Sequence, residues 1–209
     1  MNVIEALQWR YATKSFNKDK MISKKSLDII LQAFNLTATS YGLQPLKLLV
    51  IADKKLQQDL VKYSMNQEQV AQASHVLVIC VETVIDKAFI ENYFKLVKTT
   101  RHTADNILDP FKTFLIDEFA SKSQKEIRDW AVKQAYLALG NLLTVCALEK
   151  IDACPMEGFE PDKYDTILNL KPKGLASVLV LPIGYRAEND FMAALKKVRK
   201  DLKDSIIEL

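Results

Sequence analysis

The helical pattern that begins at Ser123 limits the possible folds more than any other part of the chain. It runs through Trp130, Tyr136, Leu142 and Leu143 to Leu148, and its apolar residues spread around most of the circumference, which implies burial on several sides. Gly140 inside it predicts close approach by neighbouring backbone. Apolar runs at 46–51, 75–81 and 176–183 read as strands, with a shorter one at 151–154. Helical spacing fills most of the remainder. Val3, Ile4, Leu7 and Tyr11 predict an amphipathic helix running into Arg10, and Ser23 caps a second ahead of Leu27, Ile30 and Leu31. A further helix covers 54–63, two more fill the aromatic-rich stretch 86–121 with a break near Asp109 and Pro110, and another ends near Leu170. The tail 205–209 is strand-like, with no obvious partner nearby.

Strands separated by long helical pieces exclude an all-β fold. The GxGxxG turn of a dinucleotide fold is missing, and so is a GxxxxGK[ST] loop, so the expected class is α+β and any nucleotide is held by other means. The 209 residues suit one domain spanning 1–209, in which folding buries roughly 70% of the extended chain's surface. No linker or repeat divides it. At 49% hydrophobic and 26% charged residues, the composition lies far from that of disordered chains. The sequence shows no apolar run near the ~20 residues that span a bilayer and no signal-peptide core, so a cytoplasmic protein without a membrane partner is expected. Cys80, Cys146 and Cys154 form no CxxC pair, and the only histidines are His75 and His102, so neither a disulfide framework nor a metal site is expected. The net charge of +3 is mild, and only 196–200 concentrates one sign.

Three separated clusters could carry chemistry: Arg10-Tyr11-Ala12-Thr13-Lys14-Ser15-Phe16, Thr39-Ser40-Tyr41-Gly42-Leu43-Gln44-Pro45, and Cys154-Pro155-Met156-Glu157-Gly158-Phe159. Arg10 and Lys14, four apart, would share a helical face if the helix continued and would suit a phosphate; a solvated helix end is the alternative. The basic run 196–200 is open to reading as a surface helix or a nucleic-acid contact, although it lacks stacking aromatics and the charge balance speaks against nucleic acid. Cys154 reads as a small buried residue rather than a redox thiol. His75 reads as a hydrogen-bonded structural histidine and His102 as exposed.

Taken in order, these clusters resemble the FMN-dependent nitroreductase family, particularly the bacterial oxygen-insensitive NAD(P)H type and relatives with a SYGLQP loop. The likeness runs nearly end to end. It includes Ala73-Ser74-His75, Lys133-Gln134-Ala135-Tyr136 with Gly140-Asn141, and Lys197-Val198-Arg199. It implies a mixed sheet flanked by helices, in an intertwined homodimer closed by exchange of the C-terminal strand, with two FMN sites at the subunit interface. NADH or NADPH would be the electron donor, and nitroaromatics, quinones or similar small electron-poor molecules the acceptors, reduced in a ping-pong sequence. Another reaction on the same scaffold, reduction of a pterin or an enone or reductive dehalogenation, stays open, as does a flavin-binding protein that does not turn over.

The resemblance also assigns residues. Arg10, Lys197 and Arg199 match the clamp on the FMN phosphate, and Lys14 matches the cation beside flavin N1 and the C2 carbonyl, where negative charge accumulates on reduction. Asn66 matches a contact to the pyrimidine edge, and Gln69 stands where relatives often have a second lysine. Pro155, Met156, Glu157 and Gly158 match the loop across the flavin, with the amides of Glu157 and Gly158 toward N5 and O4. Ala38, Thr39, Ser40 and Gly42 match the loop that the second subunit delivers to the ribityl chain. Tyr11 and Ala12 replace the His and Ser of some relatives, so one side-chain bond to the ribityl phosphate region is expected to be lost. The stretch 86–121 corresponds to an excursion that roofs the flavin, and Tyr41, Phe111, Phe114, Leu115 and Ile116 are the candidates to meet substrate. No side chain is expected to act as a nucleophile or acid pair.

Overall fold

A computed structural model describes residues 2–209. In chain order the elements are α1 (Val3–Trp9), α2 (Lys24–Asn35), β1 (Leu46–Ile51), α3 (Lys54–Val61), α4 (Gln69–Gln72), β2 (His75–Glu82), α5 (Lys87–Arg101), α6 (Asp105–Ala120), α7 (Gln124–Leu148), β3 (Asp152–Ala153), α8 (Pro161–Ile167) and β4 (Leu175–Gly184). The class is α+β. The four strands lie in the order β1-β2-β4-β3, and every strand pair is antiparallel. Within the single chain, among the described residues, the parallel contact is the single bridge between Ala12 and Ala153.

The strands are continuous apolar runs because helices cover both faces of the sheet. Along β2, Leu77, Ile79 and Val81 point into a core shared with α2, α5, α6 and α7, while Val76, Val78 and Cys80 point into a second core against α3 and α8. Helix α7 is long and apolar enough to cross a membrane, but its buried residues, from Ile127 to Ala147, pack against the sheet and against α1 and α2. Helix starts follow local chemistry. Ser23, Asp53 and Asp86 each accept a backbone N–H from the first turn of α2, α3 and α5, and Ser123 with Glu126 closes a capping box on α7.

Several expectations need correction. The break in 86–121 falls at residues 102–104, where His102 adopts φ 54° and ends α5, and not at Pro110. Pro110 sits inside α6 on an exposed stretch, where water can take up the carbonyl that the missing N–H leaves free. Helix α1 stops at Trp9, so Arg10 is extended, with ψ 145°, and shares no helical face with Lys14. The apolar stripe of α1 faces outward: Val3, Ile4 and Leu7 are exposed, and Ala6 is the residue buried. Gly140 has nothing within 4 Å of where a Cβ would stand, so no close approach within this chain explains it. Residues 205–209 are exposed and form no strand in the single chain.

Candidate functional site

The N-terminal and C-terminal segments meet over the β3 end of the sheet. Thr13 N–H donates to the Ala153 carbonyl at 3.4 Å, and Cys154 N–H and Met156 N–H donate to Pro182 and Val180. Arg10 to Lys14 and Pro155 are thereby laid alongside one another. The segment after residue 194 crosses them without forming the helix that a basic run could have made. These pieces enclose a cavity of about 610 Å³, lined by Arg10, Tyr11, Ala12, Pro155, Lys197 and Arg199 among others.

Its electrostatics are those of a site built for an anion. Burial, and then the Arg199 guanidinium, hold Arg10 below the ordinary arginine range. Lys197 is lowered by burial and by the same two arginines. Like charges held this close, with no carboxylate among the residues lining the cavity, favour an anion between them. Lys197 Nζ donates to the Arg10 carbonyl, and Arg10 Nε is buried without a hydrogen-bond partner. A buried guanidinium N–H left unmatched carries a penalty that a bound phosphate oxygen would remove.

Lys14 lies deeper. Its ammonium is 3.8 Å from Cys154 Sγ, and its backbone N–H donates to Asp190 Oδ2 at 2.9 Å. Cys154 is fully buried, and burial pushes its thiol up despite Lys14, as suits a structural cysteine. Gln69 is also buried, and its amide donates to Gln67 Oε1 at 2.8 Å. Gln67 in turn donates to the Gly158 carbonyl at 3.1 Å, and a Cβ on Gly158 would stand 3.2 Å from Gln67 Nε2 and Met65 Sδ. The turn at Met65 and Asn66, both left-handed at φ 53° and 55°, is thus locked to the loop 155–158. Met156 is buried through its bridge to Val180, while Glu157 is exposed and accepts a hydrogen bond from Tyr136 of α7 at 2.7 Å.

The loop 38–44 is not part of this cluster. Ser40 N–H donates to Gln134 Oε1 at 2.8 Å, Gln44 N–H to Thr39 Oγ1 at 3.1 Å, and Asn141 donates to Thr37 and to the Ala33 carbonyl. Ala38 is exposed and Gly42 half-buried at φ 72°. Tyr41, itself at φ 59°, packs on Trp130 at 6.4 Å, Phe119 at 6.2 Å and Phe111 at 6.4 Å. Phe111 and Phe114 stack and are exposed, and Ile116 is half-buried. Leu115 is fully buried in the core and offers no surface to a substrate, which corrects its place among the candidates. His75 is buried, with Nδ1 2.9 Å from Ser74 Oγ, and His102 is exposed.

Three charged side chains that hold these segments together escaped the reading of the sequence: Asp152, which accepts from Arg186 Nε and the Arg186 backbone N–H, Arg186 itself, and Asp190, which accepts from the backbone N–H groups of Lys14 and Ser15. Asp152 left one signal, an acid inside the apolar run 151–154, since a buried carboxylate needs a partner.

A two-faced helix-covered sheet whose chain ends converge on a cationic cavity defines an α+β protein suited to a phosphate-bearing ligand. The chain belongs to the nitroreductase family. The model of that family matches residues 7–185. The oxygen-insensitive NAD(P)H nitroreductase of Salmonella typhimurium is 30% identical, with both chains covered in full. Among solved structures, a nitroreductase family protein from Streptococcus pneumoniae superposes with a TM-score of 0.83 at 24% identity, covering all of both chains. A protein from Exiguobacterium sibiricum, solved in complex with FMN, superposes at 0.83 and 20% identity over 100% of this chain and 98% of that one.

Proposed function

We propose that the chain is an FMN-dependent NAD(P)H oxidoreductase that works as a homodimer in the cytoplasm, one domain per subunit, and reduces nitroaromatics, quinones or similar electron-poor acceptors. The observation that carries this reading is the convergence of Arg10, Lys197 and Arg199 on one cavity, with Arg10 Nε buried and unmatched. The family membership supports it.

FMN, when bound, supplies the two-electron exchange between donor and acceptor. Arg10, Lys197 and Arg199 hold the phosphate, Arg through its planar fork. Lys14 would place a positive charge beside the ring system at the loop 155–158, where it would offset negative charge. Asn66 and Gln69 stand at the edge of that loop, and Ala12, Pro155, Met156, Glu157 and Gly158 contribute backbone. Ala38, Thr39, Ser40 and Gly42, remote from the clamp within one chain, serve the site of the second subunit. Tyr41, Phe111, Phe114 and Ile116 border the acceptor. No side chain transfers a proton or makes a covalent bond in this scheme. Donor and acceptor would take turns at one site, which would give ping-pong kinetics.

The test is to purify the protein, release its chromophore by heat and identify it, then measure initial rates against NADH and NADPH at several fixed acceptor concentrations. FMN and parallel double-reciprocal lines are expected. A protein that neither carries nor takes up FMN would overturn the assignment, and intersecting lines would overturn the alternation.

A further inference from the structure

Tyr11 is packed by its surroundings rather than aimed at a ligand. The Arg186 guanidinium lies 4.3 Å from the centre of the Trp9 ring and 4.5 Å from that of Tyr11, the two residues flanking Arg10. Asp152, 4% exposed, holds Arg186 from below. Its Oδ1 accepts from Arg186 Nε at 2.7 Å and its Oδ2 from the Arg186 backbone N–H at 2.8 Å. Nη2 lies 2.6 Å from Oδ1, an ion pair off the hydrogen-bonding line. Burial pushes the Tyr11 phenol up to about 12, so it meets Arg186 as a neutral ring. A bridge between Phe16 and Arg186 ties the same strand end to the chain beyond Lys14.

We propose that Arg186 is a positioning residue for the phosphate clamp: gripped by Asp152 and packed on Trp9 and Tyr11, it fixes the backbone on both sides of Arg10 and so sets how Arg10, Lys197 and Arg199 converge. The inference rests on the phosphate reading given above. Arg186 does not line the cavity, so it acts through Arg10 and not by touching the ligand. Arginine suits the task because a planar cation can stack on rings while its Nε–H donates to the carboxylate, which an ammonium cannot do.

The test compares FMN with riboflavin, which lacks the phosphate, on the full-length protein stripped of flavin and titrated by fluorescence quenching. Asp152→Asn removes a negative charge near the clamp, so a purely electrostatic role for the pair predicts tighter FMN binding. Loss of positioning predicts the opposite, FMN weakened about tenfold or more with riboflavin nearly unchanged. Arg186→Lys keeps the charge and loses the stack, and the same selective weakening is expected; it also carries the test if Asp152→Asn fails to fold. Tighter FMN in the first variant, an unchanged FMN-to-riboflavin ratio in the second, or equal weakening of both flavins would overturn the proposal. Lys197→Ala with Arg199→Ala is the control. If that variant keeps the preference for FMN, the phosphate assignment itself falls, and the positioning role falls with it.

Discussion

Removing clamp cations and removing Lys14 should have separable effects. Lys197→Ala with Arg199→Ala strips two of the four cations that line the cavity, at about 1.5–3 kcal/mol per charged hydrogen bond, and the protein should leave the column largely colourless. Full flavin in that variant would contradict the assignment. Lys14→Ala should slow flavin reduction, followed by stopped flow, more than it weakens FMN binding, because a cation beside the ring matters most when the ring carries negative charge. His75 gives a pH prediction. Burial and then Lys54 lower its imidazole below the ordinary value. The unfolded chain therefore takes up a proton first, and stability is full above about pH 6.5 and lost as pH falls below it. The fall in Tm between pH 7 and pH 5 should shrink in His75→Gln; an identical fall would remove His75 from the account. The cations that line the cavity were named from the family resemblance, which matches each one inside its own short motif. Arg186 and Asp152 were not, because their meaning depends on Trp9 and Tyr11, which lie more than 140 positions away from both. Leu115 and Phe114 are adjacent on one helix, and only packing tells which of them faces the core.

At the scale of elements, the cap at Ser23 and the helix start at Ser123 could be read directly, since the capping bond that marks each spans only three residues. The break between α5 and α6 could not. Pro110 is the stronger local signal, but it falls on an exposed turn that tolerates it, while the real break rests on His102 in a left-handed conformation. The burial of the strands was legible as well, though the pairing that made the sheet antiparallel depends on long-range register. The loop 40–42 carries a prediction of its own. Gly42 has φ 72°, and a Cβ there would stand 2.6 Å from the Tyr93 hydroxyl. Gly42→Ala should cost about 1 kcal/mol from backbone conformation alone, plus the displacement of Tyr93. Adding Tyr93→Phe should restore only the second part in denaturant melts. Full restoration would show that the left-handed geometry costs nothing here.

At the scale of the molecule, the chain leaves apolar surface without a cover: Val3, Ile4 and Leu7 on α1, Leu137 and the open face at Gly140 on α7, and Val198, Leu202, Ile206 and Ile207 in the tail. A second subunit is the expected cover, with the tail pairing onto its sheet. Sedimentation should show a dimer at micromolar concentration, and removal of residues 202–209 should weaken it. A folded, yellow monomer would contradict both. The crowding of Arg10, Lys197 and Arg199 also bears on how long the protein survives in a cell. Without a bound phosphate, their repulsion would loosen the C-terminal segment and open it to proteases, whereas a ligand that binds only the folded form would suppress that opening by mass action. Flavin supply would then set the abundance of the enzyme as well as its activity, with unloaded copies cleared first and from the C-terminal end.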